Sequence, residues 1–186
     1  MNGSPQTPPS PACGGRRSPT RDALDAAIRL LDAAEARQRP VDMVRALAQV
    51  GHGYRALGEH GAAERYLQQA LRWARTLGAV DASVDLLCDL SELAVTAATD
   101  PARERAEARA ARDRARDHGF EAAGLARQCA DPAWEVTVLL RISDVLDRCG
   151  DHDDAVALQC RAIDLIARSH MTSLPEPRAA APSTTM

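Results

Sequence analysis

The sequence predicts an all-α protein, and composition, periodicity and punctuation all point that way. Aromatic residues make up only 3% of the 186 residues, while about one residue in five is Ala. That balance suits helices packed closely through small side chains, and it lacks the β-branched and aromatic residues that sheets favour. Apolar residues recur at spacings of three and four between residues 20 and 168, the period of one face of a helix. Helix starts are marked at Ser18-Pro19, Asp100-Pro101 and Asp131-Pro132, where a capping side chain precedes a proline whose missing N–H is no loss in a first turn. Helix ends are marked by Gly58, Gly78, Gly119 and Gly150, because glycine tolerates the left-handed conformation that closes a helix.

Taken in order, these signals place helices over 20–37, 41–57, 60–77, 81–97, 101–117, 132–148 and 152–168, with a shorter one near 120–129. Residues 1–17 are rich in Pro, Gly and Ser, and residues 171–186 in Pro, Ala, Ser and Thr. Neither flank carries enough apolar surface to offset the entropy of ordering, so both are expected to be disordered. One helical domain over 18–170 remains, which fits the length of the chain.

An internal repeat organises that domain. Leu47, Val50, Gly51, Tyr54, Gly58, Ala63, Leu67, Ala70 and Leu71 are matched, in the same spacing, by Leu139, Ile142, Ser143, Leu146, Gly150, Ala155, Gln159, Ala162 and Ile163. The small residues Ala63, Ala70, Ala155 and Ala162 let a second helix approach a first, and Leu47, Val50 and Tyr54 form a stripe that faces it. Between the two copies, Leu90, Ser91 and Ala94 occupy first-helix positions, and the segment 101–119 is expected to be the second helix of this middle copy.

This pattern resembles the tetratricopeptide repeat, clearly over residues 42–78 and 136–169. The steps of 40 residues from Val50 to Leu90 and 52 from Leu90 to Ile142 exceed the usual period of about 34. In this the chain is similar to the longer repeats of kinesin light chains and some bacterial regulators. The resemblance implies a right-handed superhelical stack of antiparallel helix pairs, a TPR-like α-solenoid, with the 20–37 helix as a cap. It also implies a concave groove lined by the first helices that holds a protein or peptide partner. By position, the groove residues are Arg45, Gln49, His52 and Arg55 in the first repeat, Asp85, Asp89 and Glu92 in the middle one, and Thr137, Arg141, Asp144 and Arg148 in the last. The groove thus runs from basic to acidic to mixed, which suits a segment carrying both charges. The subtype that grips chaperone C-terminal carboxylates with Lys and Asn does not fit, because Ala48 and His52 stand at those sites and the chain has no Lys.

Composition excludes several classes. All 23 basic residues are Arg, so neither a lysine Schiff base nor a phosphate-loop lysine is available. A net charge of -3 lacks the basic footprint of a nucleic-acid binder. The Arg-rich 101–117 helix is expected to be a solvated face with Arg103–Glu107 and Arg109–Asp113 pairs. Cys13, Cys88, Cys129, Cys149 and Cys160 never form a C-x-x-C motif, which suggests free thiols in a reducing compartment. Without an apolar leader or membrane-length run, the expected location is cytoplasmic. The Arg- and Ala-rich usage suggests a bacterial genomic background.

The expectation is therefore a non-catalytic binding scaffold with no cofactor. One alternative is a chaperone of the type III secretion translocator kind, similar in size and repeat number. Another is a metal-dependent or redox enzyme built on Cys149, Asp151, His152, Asp153 and Asp154. Carboxylates there, however, also suit a first helical turn. Self-association into a homodimer through an exposed edge of the stack is a third.

Overall fold

A computed structural model describes residues 18–129 and 131–172, and within them the chain forms seven helices and no strand. They are α1 (Pro19–Ala36), α2 (Pro40–Ala56), α3 (His60–Thr76), α4 (Val80–Ala98), α5 (Arg105–Ala126), α6 (Pro132–Cys149) and α7 (His152–Thr172). Short connections turn each helix back along its predecessor, giving the pairs α2–α3, α4–α5 and α6–α7, with α1 packed on α2. Helix α4 also lies against α6, and α3 packs on α4, which joins the pairs into one stack. The expected disorder of 1–17 and 173–186 lies outside the described residues, whereas Met171 and Thr172, expected in the tail, end α7.

Local chemistry accounts for most boundaries. The Asp131 side chain caps α6, accepting hydrogen bonds from the N–H groups of Ala133 at 3.0 Å and Trp134 at 3.2 Å. Gly58 and Gly150 close α2 and α6 with φ of 78° and 90°, a region in which a Cβ would be strained.

Two boundaries differ from expectation, both in the middle repeat. Pro101 does not open a helix. The Asp100 carboxylate accepts from the Ala102 N–H at 2.9 Å, and the Arg103 N–H donates to the Asp100 carbonyl at 3.2 Å, so the chain closes a separate turn first. Only after extended backbone at Glu104 does α5 begin. Nor does Gly119 end a helix. It lies inside α5, which runs on to Ala126 and absorbs the expected 120–129 helix.

The reason is tertiary. A Cβ on Gly119 would lie 2.9 Å from Ile142 Cγ2 and 3.3 Å from Ser91 Oγ. The missing side chain thus lets α5 settle between α4 and α6. Ala111, Ala115, Ala122 and Ala126 continue that small-residue stripe and are buried. Ser91 anchors it by donating a 2.6 Å hydrogen bond to the Ala115 carbonyl.

The outer pairs use the same device. At Gly51, where a Cβ would lie 2.8 Å from Leu67 Cγ, the absent side chain brings α2 onto α3. The matching Ser143 is buried and folds its hydroxyl back to the Leu140 carbonyl at 2.9 Å. Leu47, Leu67, Leu87, Leu139, Ile142 and Leu146 are fully buried along the stack, each contributing about 1.5–3 kcal/mol by leaving water. Tyr54 and Tyr66 stack with ring centroids 5.3 Å apart, whereas Phe120 is 40% exposed.

Candidate partner-binding groove

The polar residues on α2, α4 and α6 do not form independent faces, because their side chains reach across the helices and meet. Arg55 donates from Nη1 and Nη2 to Glu92 Oε2, both at 3.1 Å. Arg141 donates from Nε and Nη2 to Glu92 Oε1 at 3.0 and 2.8 Å, and from Nη2 to Asp89 Oδ1 at 3.0 Å. His52 Nε2 lies 2.7 Å from Asp89 Oδ2. The network ties α2 to α4 and α4 to α6, with Asp89 and Glu92 each held from both sides.

Other predicted groove residues stay outside it. Asp144 and Arg148 pair with each other at 3.6 Å on α6, and Thr137 turns its hydroxyl to the Ala133 carbonyl. Arg45, Gln49 and Asp85 are exposed. Among the described residues neither Arg45 nor Asp85 has an ion-pair partner.

Arg45 and Asp85 face a cavity of about 350 Å³ between α2 and α4, together with Val41, Ala48, Leu77, Ala82, Leu86 and the network residues His52 and Asp89. Val41 is 63% exposed and Leu77 40%. The polar-face reading missed this apolar lining, although Val41 and Ala48 already stood as apolar residues among the polar positions of α2. Arg45 and Gln49 also border a second hollow of about 290 Å³ between α1 and α2.

Electrostatics follow this arrangement. Burial alone would raise the pKa of Asp89, but hydrogen bonds from His52 and Arg141 outweigh it and the net shift is downward. The hydrogen bond to Asp89 raises the pKa of His52 against the opposing effect of burial. Burial also raises Asp85, assisted by the nearby Asp89 and Asp81 and opposed by Arg141. The Cys88 thiol, beneath the network, is pushed up to about 12 by burial, so it stays protonated at neutral pH.

These shifts define a pH window. A raised histidine contributes fully below its unfolded value of about 6.5 and loses that contribution as pH rises through the folded value. A lowered carboxylate contributes above about 3.9 and loses its contribution as pH falls through the folded value. The His52–Asp89 pair is therefore at full strength between about pH 4 and 6.5. The stability advantage of the native chain over His52→Gln should shrink as pH rises above about 6.5. With half of His52 open to solvent, screening holds the change to about 0.5 kcal/mol or less. Thermal melts of both chains across that range check this, and an advantage that stays constant would remove the pair from the account.

Elsewhere, the charged pairs expected along α5 are not formed. Arg103 lies 3.8 Å from Asp100 rather than against Glu107, and Arg109 and Asp113 make no ion pair among the described residues. The ligand types near Cys149 face different partners: His152 Nδ1 lies 2.6 Å from Asp147, Asp151 pairs with Arg116 at 3.0 Å, and burial raises the pKa of the Cys149 thiol. Cys88, Cys129, Cys149 and Cys160 are free thiols. No helix among the described residues is long and apolar enough to cross a membrane.

The tetratricopeptide-repeat family model matches residues 44–77, which cover the α2–α3 pair. No curated protein matches the sequence. Among solved structures, BtubC (BKLC) from P. vanneervenii is similar with a TM-score of 0.66 and 19% identity, over 87% of this chain and 62% of that one. The chain thus spans 62% of the length of BtubC, and at this identity the likeness is one of fold. A DHF58 filament shows a TM-score of 0.43 and 21% identity over 82% of each chain. With a family match on the α2–α3 pair, the same small-residue spacing in α6–α7 and neighbouring helix pairs throughout, the chain is a tetratricopeptide-like repeat protein.

Proposed function

We propose that the chain is a non-catalytic scaffold that holds a segment of a partner protein in the groove formed by α2, α4 and α6. The observation that carries this reading is the α2–α4 cavity, lined by buried Val44 and Leu86, exposed Val41 and Leu77, and the unpaired charges of Arg45 and Asp85. It suits a segment that seats one apolar side chain, with a basic residue toward Asp85 and an acidic one toward Arg45. Asp89 and Glu92 hold Arg55, Arg141 and His52 and so shape the groove.

A displayed library of short random peptides, selected against the purified chain, tests the proposal. The selected peptides should share an apolar residue flanked by opposite charges. Asp85→Arg should weaken them by at least about tenfold, equivalent to 1.4 kcal/mol, with an unchanged melting temperature because Asp85 has no partner to lose. Arg45→Glu should shift the preferred flanking charge. A library without enrichment, or peptides indifferent to both substitutions, would overturn the groove reading.

A further inference from the structure

Arg105, Arg109, Arg112 and Arg116 recur on α5 at steps of four, three and four residues. They therefore form one line about 16 Å long at 1.5 Å per residue. Together with Ala108, Asp113, Cys149 and Asp151 they line an open cleft of about 570 Å³ between α5 and the α6–α7 turn. Among the described residues, Arg105, Arg109 and Arg112 have no ion-pair partner. Arg116, at the far end, lies 3.0 Å from Asp151 and 4.0 Å from Asp154. Its buried Nε has no aligned hydrogen bond, so it is held by charge rather than by a well-directed contact.

We propose that this cleft is a second docking site, which takes an acidic helical segment of a partner protein. Three side chains rich in hydrogen-bond donors stand in one row without acceptors, and guanidinium groups match carboxylates with two parallel hydrogen bonds. The four-three-four spacing is that of one helix face, so a helix laid along α5 can present carboxylates in the same register. Nucleic acid fits less well. Asp113 and Asp151 line the cleft and no aromatic side chain does, which leaves a base nothing to stack on.

The test uses the full chain and three fluorescent probes: an Ala-based helical peptide with Glu at four-three-four spacing, its Gln counterpart, and a single-stranded DNA of equal charge. The Glu peptide should bind at least about tenfold tighter than the Gln peptide and weaken as salt rises. The combined variant Arg105→Gln, Arg109→Gln, Arg112→Gln should weaken it at least tenfold without altering the melting temperature. Arg109→Gln and Arg112→Gln alone should each give part of the loss, which keeps the test decisive if the combined variant folds poorly. Arg29→Gln, exposed on α1 and outside both sites, should leave Glu-peptide binding unchanged. Equal binding of the Glu and Gln peptides, indifference to the Arg105, Arg109 and Arg112 substitutions, an equal loss in Arg29→Gln, or tighter DNA binding with the same Arg dependence would overturn the proposal.

Discussion

Replacing Gly119 with leucine should destabilise the chain by about 3 kcal/mol, and Gly119→Ala by about 1–2 kcal/mol, because each added atom enters a filled helix crossing. Ile142 Cγ2 lies 2.9 Å from the position a Cβ would take, and Ile142 is itself fully buried between α5 and its neighbours. Helix propensity alone predicts the opposite, since glycine to alanine inside a helix gains about 1 kcal/mol. Gly124, on the same helix with nothing within 4 Å, supplies that contrast: Gly124→Ala should stabilise by up to about 1 kcal/mol. Urea denaturation of the two alanine variants should therefore give changes of opposite sign. The Gly119→Ala penalty should shrink in an Ile142→Ala background, because the truncated partner leaves room for the Cβ. A penalty indifferent to Ile142 would mean that Gly119 is needed for its backbone freedom, and the crossing would not explain it.

The same glycine shows where sequence alone falls short. The local signs at 101 and 119 are the same kind of signs that correctly mark α6, opened at Asp131-Pro132 and closed at Gly150. Nothing within a few residues of Gly119 separates a helix-ending glycine from one that is small because another helix lies on it. The separating fact is the position of Ile142, 23 residues away. The outer repeats were legible because their small residues recur in register with apolar partners, so the pattern carried its own tertiary information. The middle repeat replaces that register with the longer stripe of Ala111, Ala115, Gly119, Ala122 and Ala126.

The groove divides in a similar way. Which residues stand on the first helices could be read from spacing, and the structure brings His52, Arg55, Asp89, Glu92 and Arg141 together. That these five neutralise one another depends on side-chain reach between helices, which spacing along one helix does not encode. The unpaired Arg45 and Asp85 emerge only once the pairs are known.

Arg141 gives the most direct measure of what that pairing contributes. Arg141→Ala should cost about 2 kcal/mol, between the small effect of an exposed pair and the 3–5 kcal/mol of a fully buried one. The intermediate value follows from its surroundings. The Arg141, Asp89 and Glu92 side chains retain 32%, 15% and 24% of their exposure, so both carboxylates are partly desolvated. Arg141→Glu should cost more, because a third carboxylate would enter the site with only Arg55 and His52 opposing it. A double-mutant cycle between Arg141 and Glu92 should return a coupling well above that of Arg148 with Asp144, whose exposed pair on one helix is worth about 0.3–0.5 kcal/mol. Because the same hydrogen bonds hold α4 against α6, peptides selected on the groove should also lose affinity to Arg141→Ala as the site becomes less preorganised. Equal couplings in the two cycles would make the network an ordinary surface arrangement, and the groove would then owe its shape to the apolar packing beneath it.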